Sequence, residues 1–158
     1  MISIRRIQPD DNQQVRQLID EIMRDEFGAA QGAYTSHDLE NPCAYYNGDK
    51  DIFLVAEKGG DIIGTVAVKE DSPNTALLRR LFVRKDCRGH GYGAMLLCKA
   101  MEFCFNRRYQ NVNFRGTDHM QQALKLCLKE GFHEEDVIAT DAFRMLVLTK
   151  HLENESKA

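Results

Sequence analysis

A glycine-rich turn carries the strongest chemical signal in the sequence. Residues 88–94 are Arg-Gly-His-Gly-Tyr-Gly-Ala, between a strand-like run and a helix-like run. Glycine lets the main chain turn tightly, and the first turn of a helix presents unpaired N–H groups and a positive dipole end. The turn therefore predicts an anion site built from main-chain amides. Basic residues around it favour a polyanion: Arg79, Arg80, Arg84, Lys85 and Arg88.

Two well-known phosphate-binding turns can be compared with this segment. A P-loop needs Lys and then Ser or Thr after its last glycine, whereas Ala94 and Met95 follow Gly93 here. The dinucleotide-binding pattern G-x-G-x-x-G/A matches Gly89, Gly91 and Ala94. That pattern normally follows the first strand of a βαβ unit, but several hairpin-like strands precede this turn. A dinucleotide-binding oxidoreductase therefore remains an alternative that the context disfavours.

The other residues capable of chemistry form no metal or disulfide pattern. The five cysteines are odd in number and show no C-x-x-C spacing, so we expect reduced thiols and no metal site. Carboxylates at the end of a hairpin strand and a histidine before a late helix are candidate proton acceptors, although exposed side chains of these types are common. They are Glu70, Asp71 and His119.

Hydrophobic periodicity places the elements around the turn. We expect strands near residues 2–7, 52–57, 62–69, 76–83, 111–115 and 142–149, and helices after Pro9, after the glycine turn and at 120–130. Gly59-Gly60 predicts a hairpin turn between the second and third strands. The segment 28–50 is irregular, with a short helix expected near Ser36 or His37.

Composition limits the class of protein. The chain has 158 residues, 43% hydrophobic and 28% charged, with a net charge of −3. We expect one domain over residues 1–152 with a polar tail at 153–158. The net charge does not favour nucleic acid as a partner, and no apolar run reaches the ~18 residues of a membrane span. The N-terminus does not resemble a secretory signal, so we expect a cytoplasmic protein.

Together, these residues resemble the acetyl-CoA motif of the GNAT superfamily of N-acetyltransferases. The pattern Arg88-x-x-Gly91-x-Gly93 follows the strand end Leu81-Phe82-Val83, and the late helix ends in Gly131-Phe132. The resemblance extends over about residues 2–150. It implies a mixed α/β fold, in which a mostly antiparallel central sheet splays after its fourth strand and about four helices flank it.

The resemblance also implies a binding site for acetyl-CoA. In the family, amides of the turn hold the CoA diphosphate and the preceding strand pairs with pantetheine. One amide of that strand, with Phe82 as the candidate, faces the thioester carbonyl. The cofactor-binding residues implied here are Leu81, Phe82, Val83, Arg88, Gly89, His90, Gly91, Tyr92, Gly93 and Ala94.

Two positions depart from the family pattern. Leu77 stands where many members carry a glutamate on the fourth strand, and Cys127 stands where many carry a tyrosine that acts as general acid. Cys127 and Glu70 are therefore the candidate catalytic residues, and a buried, inert Cys127 is the alternative. Tyr34, Tyr45 and Tyr46 lie in the segment that forms one acceptor wall in the family.

The function expected from the resemblance is acetyl transfer from acetyl-CoA to a primary amine of a small molecule, by direct attack in a ternary complex. No nucleic acid, membrane or metal is expected, and the chain is a monomer or a homodimer. A non-catalytic acyl-CoA sensor is the alternative, because the glutamate and the tyrosine are both missing. Edge strands such as 142–149 are candidates for pairing between two copies.

Overall fold

A computed structural model describes residues 1–27, 37–141 and 143–152, and one seven-stranded mixed sheet runs through this part of the chain. The strand order is β1-β2-β3-β4-β5-β7-β6. The strands are β1 (Ile2–Arg6), β2 (Ile52–Lys58), β3 (Asp61–Ser72), β4 (Thr75–Val83), β5 (Asn111–Thr117), β6 (His133–Ala139) and β7 (Arg144–His151). The α-helices of the described residues are α1 (Asn12–Ile22), α2 (Pro42–Tyr45), α3 (Tyr92–Asn106) and α4 (Gln121–Lys129).

The central strands owe their position to continuous apolar sequence. Residues 52–56 of β2 and 62–68 of β3 are all buried, which requires cover on both faces of the sheet. The hairpin between these strands turns on Gly59 and Gly60, whose φ angles of 60° and 88° suit a two-residue turn. Gly64 of β3 lets α3 approach closely, because a Cβ there would lie 2.9 Å from Leu96 Cδ1.

The sheet opens between β4 and β5, which are parallel neighbours. They pair only from Thr75 to Leu78 on β4, opposite Asn111 to Phe114 on β5. β5 then continues beside β7 as far as Thr117, while residues 79–83 of β4 have no β5 partner. The last half of β4 therefore presents main-chain groups along an opening. The predicted mixed α/β fold, splayed after its fourth strand, is confirmed.

The C-terminal part of the sheet differs from the expectation in two ways. β6 was not predicted, because His133–Ala139 carries four charged or imidazole side chains in a row and lacks an apolar alternation. Such charges are typical of an edge strand, where they discourage pairing with other chains. β7 lies between β5 and β6, so the predicted strand at 142–149 is internal and offers no edge for a second copy.

The segment before β2 contains short helical turns rather than a long loop alone. A 3₁₀ turn spans His37–Leu39 and α2 spans Pro42–Tyr45, which agrees with a short helix near residue 37. Part of this irregular segment, including Tyr34, lies outside the described residues, as does the predicted tail at 153–158. Within the described residues, no helix combines the length and the apolar character needed to cross a lipid bilayer.

Candidate active site

The glycine turn forms the N-terminus of α3, as its sequence predicts. Gly89 and Gly91 have φ angles of 86° and 82°, which side chains rarely allow, and Gly91 is the N-cap residue of this 15-residue helix. The first intrahelical bond comes from Met95 N–H to the Gly91 carbonyl at 3.1 Å. The N–H groups of residues 92–94 precede that bond and lack intrahelical acceptors, so they are available to an anion at the positive end of the helix dipole.

A cavity of about 420 Å³ lies at this turn and continues into the opening beside β4. It is lined by the end of β4 that β5 does not cover, by the turn itself, by the start of α4 and by the segment after α1. Every predicted cofactor residue except His90 is among its lining residues: Leu81, Phe82, Val83, Arg88, Gly89, Gly91, Tyr92, Gly93 and Ala94.

His90 is the exception because the chain turns outward between the two glycines with positive φ. Its side chain is exposed and does not line the cavity, and its ring lies 5.6 Å from the Tyr92 ring. The resemblance implies a contact through the main-chain amide of His90, which the position of the side chain does not test, so this role stays a prediction.

The Arg88 side chain is committed to protein partners. Its Nη1 and Nη2 donate to the two carboxylate oxygens of Glu26 at 2.7 and 2.8 Å, and its Nε donates to the Val83 carbonyl at 2.9 Å. Glu26 follows α1, and both residues line the cavity. Arg88 thus joins the end of β4 to the segment after α1. From its place in the sequence motif, a direct bond between its side chain and phosphate was expected instead.

Carboxylates also pair with other members of the basic run that suggested a polyanion. Arg84 Nε donates to Asp86 at 2.7 Å, and Arg79 and Arg80 approach Asp38 at 3.7 and 2.7 Å. Besides Arg88, the lysines and arginines that line the cavity belong to α4, namely Lys125 and Lys129. Their spacing of four residues places both on one face of the helix, a signal that was present in the sequence but not used.

A buried network lies beside the cavity end of β4. Arg80 donates to both carboxylate oxygens of Asp38, at 3.0 and 2.7 Å, and the Tyr46 hydroxyl donates to Asp38 at 2.6 Å. Burial disfavours the charge on Asp38, but the hydrogen bond and charge of Arg80 outweigh it and lower the pKa of Asp38. The Asp38 carboxylate is therefore ionised in the interior, where Arg80 bonds to it.

The two candidate catalytic side chains are not in the cavity. Cys127 is fully buried in the core, and burial raises the pKa of its thiol to about 12. This position fits the alternative of an inert, packed thiol. Glu70 contacts Lys50 at 3.9 Å, and five residues of β3, or ~17 Å, separate it from Thr65, the partner of Phe82. A general base must reach the reacting amine directly or through one water, so the structure does not support Glu70 in that role.

The remaining candidates have separate surroundings. His119 lines the cavity and lies 3.3 Å from Asp118, whereas Tyr45 packs beneath the Lys69 ammonium, 4.5 Å from its ring centre. Among the described residues, one exposed group could meet a metal ion: His133, Glu135 and His151, whose ligand atoms lie within 4.8 Å of one another. This group is on β6 and β7 and lines no part of the cavity.

Solved structures share this fold over nearly the whole chain. A GNAT-family acetyltransferase from Staphylococcus aureus Mu50 has a TM-score of 0.84 at 21% identity, covering 97% of this chain and 100% of its own. YncA, a putative acetyltransferase from Salmonella typhimurium solved with acetyl-CoA, has a TM-score of 0.80 at 14% identity, covering 98% and 96%. The PaiA N-acetyltransferase from Thermoplasma acidophilum, solved with coenzyme A, has a TM-score of 0.76 at 16% identity, covering 96% and 99%.

No curated protein matches this chain in sequence. The model of the acetyltransferase (GNAT) family, however, matches residues 15–134, which is most of the chain and includes the glycine turn and α4. With the splayed sheet and the open helix N-terminus, this match shows that the chain belongs to the acetyltransferase (GNAT) family, whose acyl donor is acetyl-CoA.

Proposed function

We propose that this protein transfers the acetyl group of acetyl-CoA to a primary amine of a small molecule, within a ternary complex. The observation that carries the proposal is the free edge of β4. Residues 79–83 lose β5 as a partner just where the strand leads into the amides at the start of α3. An extended pantetheine arm can pair with that edge while the diphosphate lies at the helix N-terminus.

The residues of the cavity fit such a donor in shape and charge. Gly89 and Gly91 leave open space at the turn, since a Cβ on either would meet no atom within 4 Å. Lys125 and Lys129 add positive charge from α4, and Leu81 and Phe82 supply apolar wall. A polyanion with an extended, partly apolar arm suits this combination better than a compact anion does.

The chemical step requires few protein groups. The neutral amine nitrogen attacks the thioester carbonyl carbon, a C–N bond forms, the C–S bond breaks and CoA leaves as its thiolate. The proton of the amine passes to water or to His119, which lines the cavity, because Glu70 is remote and Glu26 is paired with Arg88. A main-chain N–H of β4 stabilises the negative charge that develops on the carbonyl oxygen, and one such donor is typically worth about 3 kcal/mol.

The preference for a small acceptor rests on charge. The basic run at residues 79–88 would be the natural contact for an acidic macromolecule, but Arg79, Arg80, Arg84 and Arg88 all have carboxylate partners. Three carboxylates, Asp38, Asp86 and Glu26, thus offset part of the charge of this run, which weakens it as a contact for a large acidic partner. A small amine entering the opening beside β4 needs no such surface.

The direct test is titration calorimetry with CoA and acetyl-CoA, followed by thiol release with a panel of primary amines. Gly91→Ala and Gly60→Ala form a matched pair, because both replace a glycine of φ above 80° that has open space around it. Each should destabilise the fold by ~1 kcal/mol through backbone strain. Only Gly91→Ala should weaken CoA binding, since Gly60 belongs to the distant β2–β3 turn.

Three results separate the alternatives. Binding with thiol release supports the transferase, and at ~100 times its dissociation constant CoA should also add ~2.7 kcal/mol to the unfolding free energy. Binding without release for any amine supports the acyl-CoA sensor. Absence of heat with both CoA and acetyl-CoA contradicts the proposed function.

A further inference from the structure

The fourth strand contains a residue in a strained conformation. Arg80 has φ of 56°, in the left-handed region that residues with a side chain seldom occupy. It lies in a β-bulge: Thr65 pairs with Phe82 and Ala67 with Arg79, so Arg80 and Leu81 together face Val66 alone. A conformation of this kind persists only where surrounding groups hold it, and such strain is concentrated at functional sites.

Both the side chain and the carbonyl of Arg80 are held. Its guanidinium makes two hydrogen bonds to the Asp38 carboxylate, and the two side chains are only 4% and 1% exposed. Its carbonyl accepts a hydrogen bond of 2.7 Å from the Thr65 hydroxyl, which is fully buried. The Tyr46 hydroxyl donates to Asp38 Oδ2, which also accepts from Arg80 Nε, so Asp38 is itself fixed.

The strained residue is next to the surface that receives the donor. Leu81, Phe82 and Val83 follow Arg80 directly and line the cavity, in the half of β4 that β5 does not cover. The orientation of the peptide plane between Arg80 and Leu81 depends on the Arg80 torsion angles. A change there would turn the Leu81 N–H, which belongs to this peptide plane, with respect to the opening.

We propose that Asp38 is a positioning residue for acyl transfer, which holds Arg80 in its left-handed conformation and thereby aims the main-chain N–H group of Leu81 at the thioester carbonyl. The N–H of Phe82, which was the candidate from sequence, faces Thr65 of β3 instead, because Arg84 N–H bonds to the Ile63 carbonyl two residues along the same ladder. The inference rests on the proposed function. Stability alone is a weak explanation for the pair, because burying an ion pair costs desolvation that apolar side chains of similar volume would avoid. A charged pair fixes direction as well as distance, through the fork geometry of arginine.

The test measures the thioester carbonyl itself, so no acceptor is needed. Acetyl-CoA labelled at its carbonyl carbon is bound to each protein, and the carbonyl stretch is recorded by difference infrared spectroscopy. A hydrogen bond to the carbonyl oxygen lowers this frequency. The variants are Asp38→Asn, which replaces one acceptor oxygen with a donor, and Thr65→Val, which removes the bond to the Arg80 carbonyl and nearly keeps the shape.

Asp11→Asn is the matched control. Asp11 is buried and accepts two hydrogen bonds from Arg5, at 2.7 and 3.0 Å, but this pair involves the edge strand β1 and lies away from the cavity. It should lower the melting temperature without changing the carbonyl band. Any general effect of losing a buried Asp–Arg pair is thereby separated from an effect on β4.

The expected result is a lowered carbonyl frequency in the wild type and in Asp11→Asn, and a frequency nearer that of free acetyl-CoA in Asp38→Asn and Thr65→Val. Once an amine is known, kcat should fall ~10-fold or more in these two variants, with KM for acetyl-CoA changed by less than ~3-fold. If Asp38→Asn does not fold, Thr65→Val decides. An unchanged band in the variant that folds overturns the positioning role while CoA binding stands, whereas failure of the wild type to bind CoA overturns the proposed function itself.

Discussion

Removing the charge of Glu26, which pairs with Arg88, should lower the stability of the fold and raise its affinity for CoA. The change is Glu26→Gln, which keeps the shape and one acceptor oxygen but removes a negative charge from the cavity wall. The two side chains are 28% and 25% exposed, and both carboxylate oxygens are bonded at 2.7 and 2.8 Å. For a charge-assisted pair that is mostly shielded from water, we expect a loss of about 1 kcal/mol in unfolding free energy.

CoA binding should become tighter in the same variant. Glu26 lines the cavity that also contains Gly89 and Gly91, so its charge opposes a diphosphate at the turn. For charges ~8 Å apart in a water-like dielectric, the repulsion is about 0.5 kcal/mol per pair, or about 1 kcal/mol for a diphosphate carrying two charges. This corresponds to an affinity gain of about fivefold at low ionic strength, and it should vanish near 1 M salt, where the Debye length is ~3 Å.

Titration calorimetry with CoA at several salt concentrations measures this gain, and urea unfolding measures the loss of stability. Asp25→Asn is the control, because Asp25 is the neighbouring acid, is well exposed and does not line the cavity. Asp25→Asn should change neither the CoA affinity nor the unfolding free energy appreciably. If Glu26→Gln instead weakens CoA binding at all salt concentrations, the carboxylate acts by holding the turn in its binding shape, and the electrostatic reasoning is refuted.

Three further predictions concern local features. The Arg5 guanidinium holds the pKa of Asp11 below its ordinary value. The ionised Asp11 therefore stabilises the folded state fully above pH ~4, and this contribution is lost as the pH falls through the lowered pKa. In urea unfolding, the free energy of Asp11→Asn should vary less with pH in that range than that of the wild type. A thiol reagent should label Cys98, which is exposed, and not Cys127 in the folded protein, and rapid labelling of Cys127 would contradict its position in the core. Gly93→Ala should stabilise the protein in thermal unfolding by less than the ~1 kcal/mol that helix propensity favours, because the new Cβ would lie 2.8 Å from Leu126 Cδ1; the full gain should appear when Leu126→Ala removes that contact.

Much of the binding site could be predicted from sequence because it depends on local geometry. The glycines of the turn adopt the positive φ angles that their lack of a side chain favours, and α3 begins where the apolar periodicity starts. The hairpin at Gly59 and Gly60 follows for the same reason. In each case the residue itself largely determines the torsion angles, so neighbours in sequence suffice.

Pairings between distant residues could not be predicted in this way. Arg88 finds Glu26 across 62 positions, and Arg80 finds Asp38 across 42. From sequence alone, each arginine belonged to a basic run facing a polyanion, because a charge pattern does not reveal which carboxylate packs against it. Only the packing of α1 and of the His37–Leu39 turn against β4 brings those partners together.

The sequence by itself determined where an anion can bind, through a glycine turn that opens a helix, and which segments of the chain form most of the helices and strands. The tertiary structure decided which charges remain for a ligand, where β4 and β5 part, and that Cys127 and Glu70 lie outside the cavity. The physical reason is that torsion preferences act within a few residues, whereas burial and charge pairing depend on elements that meet only when the whole sheet has formed.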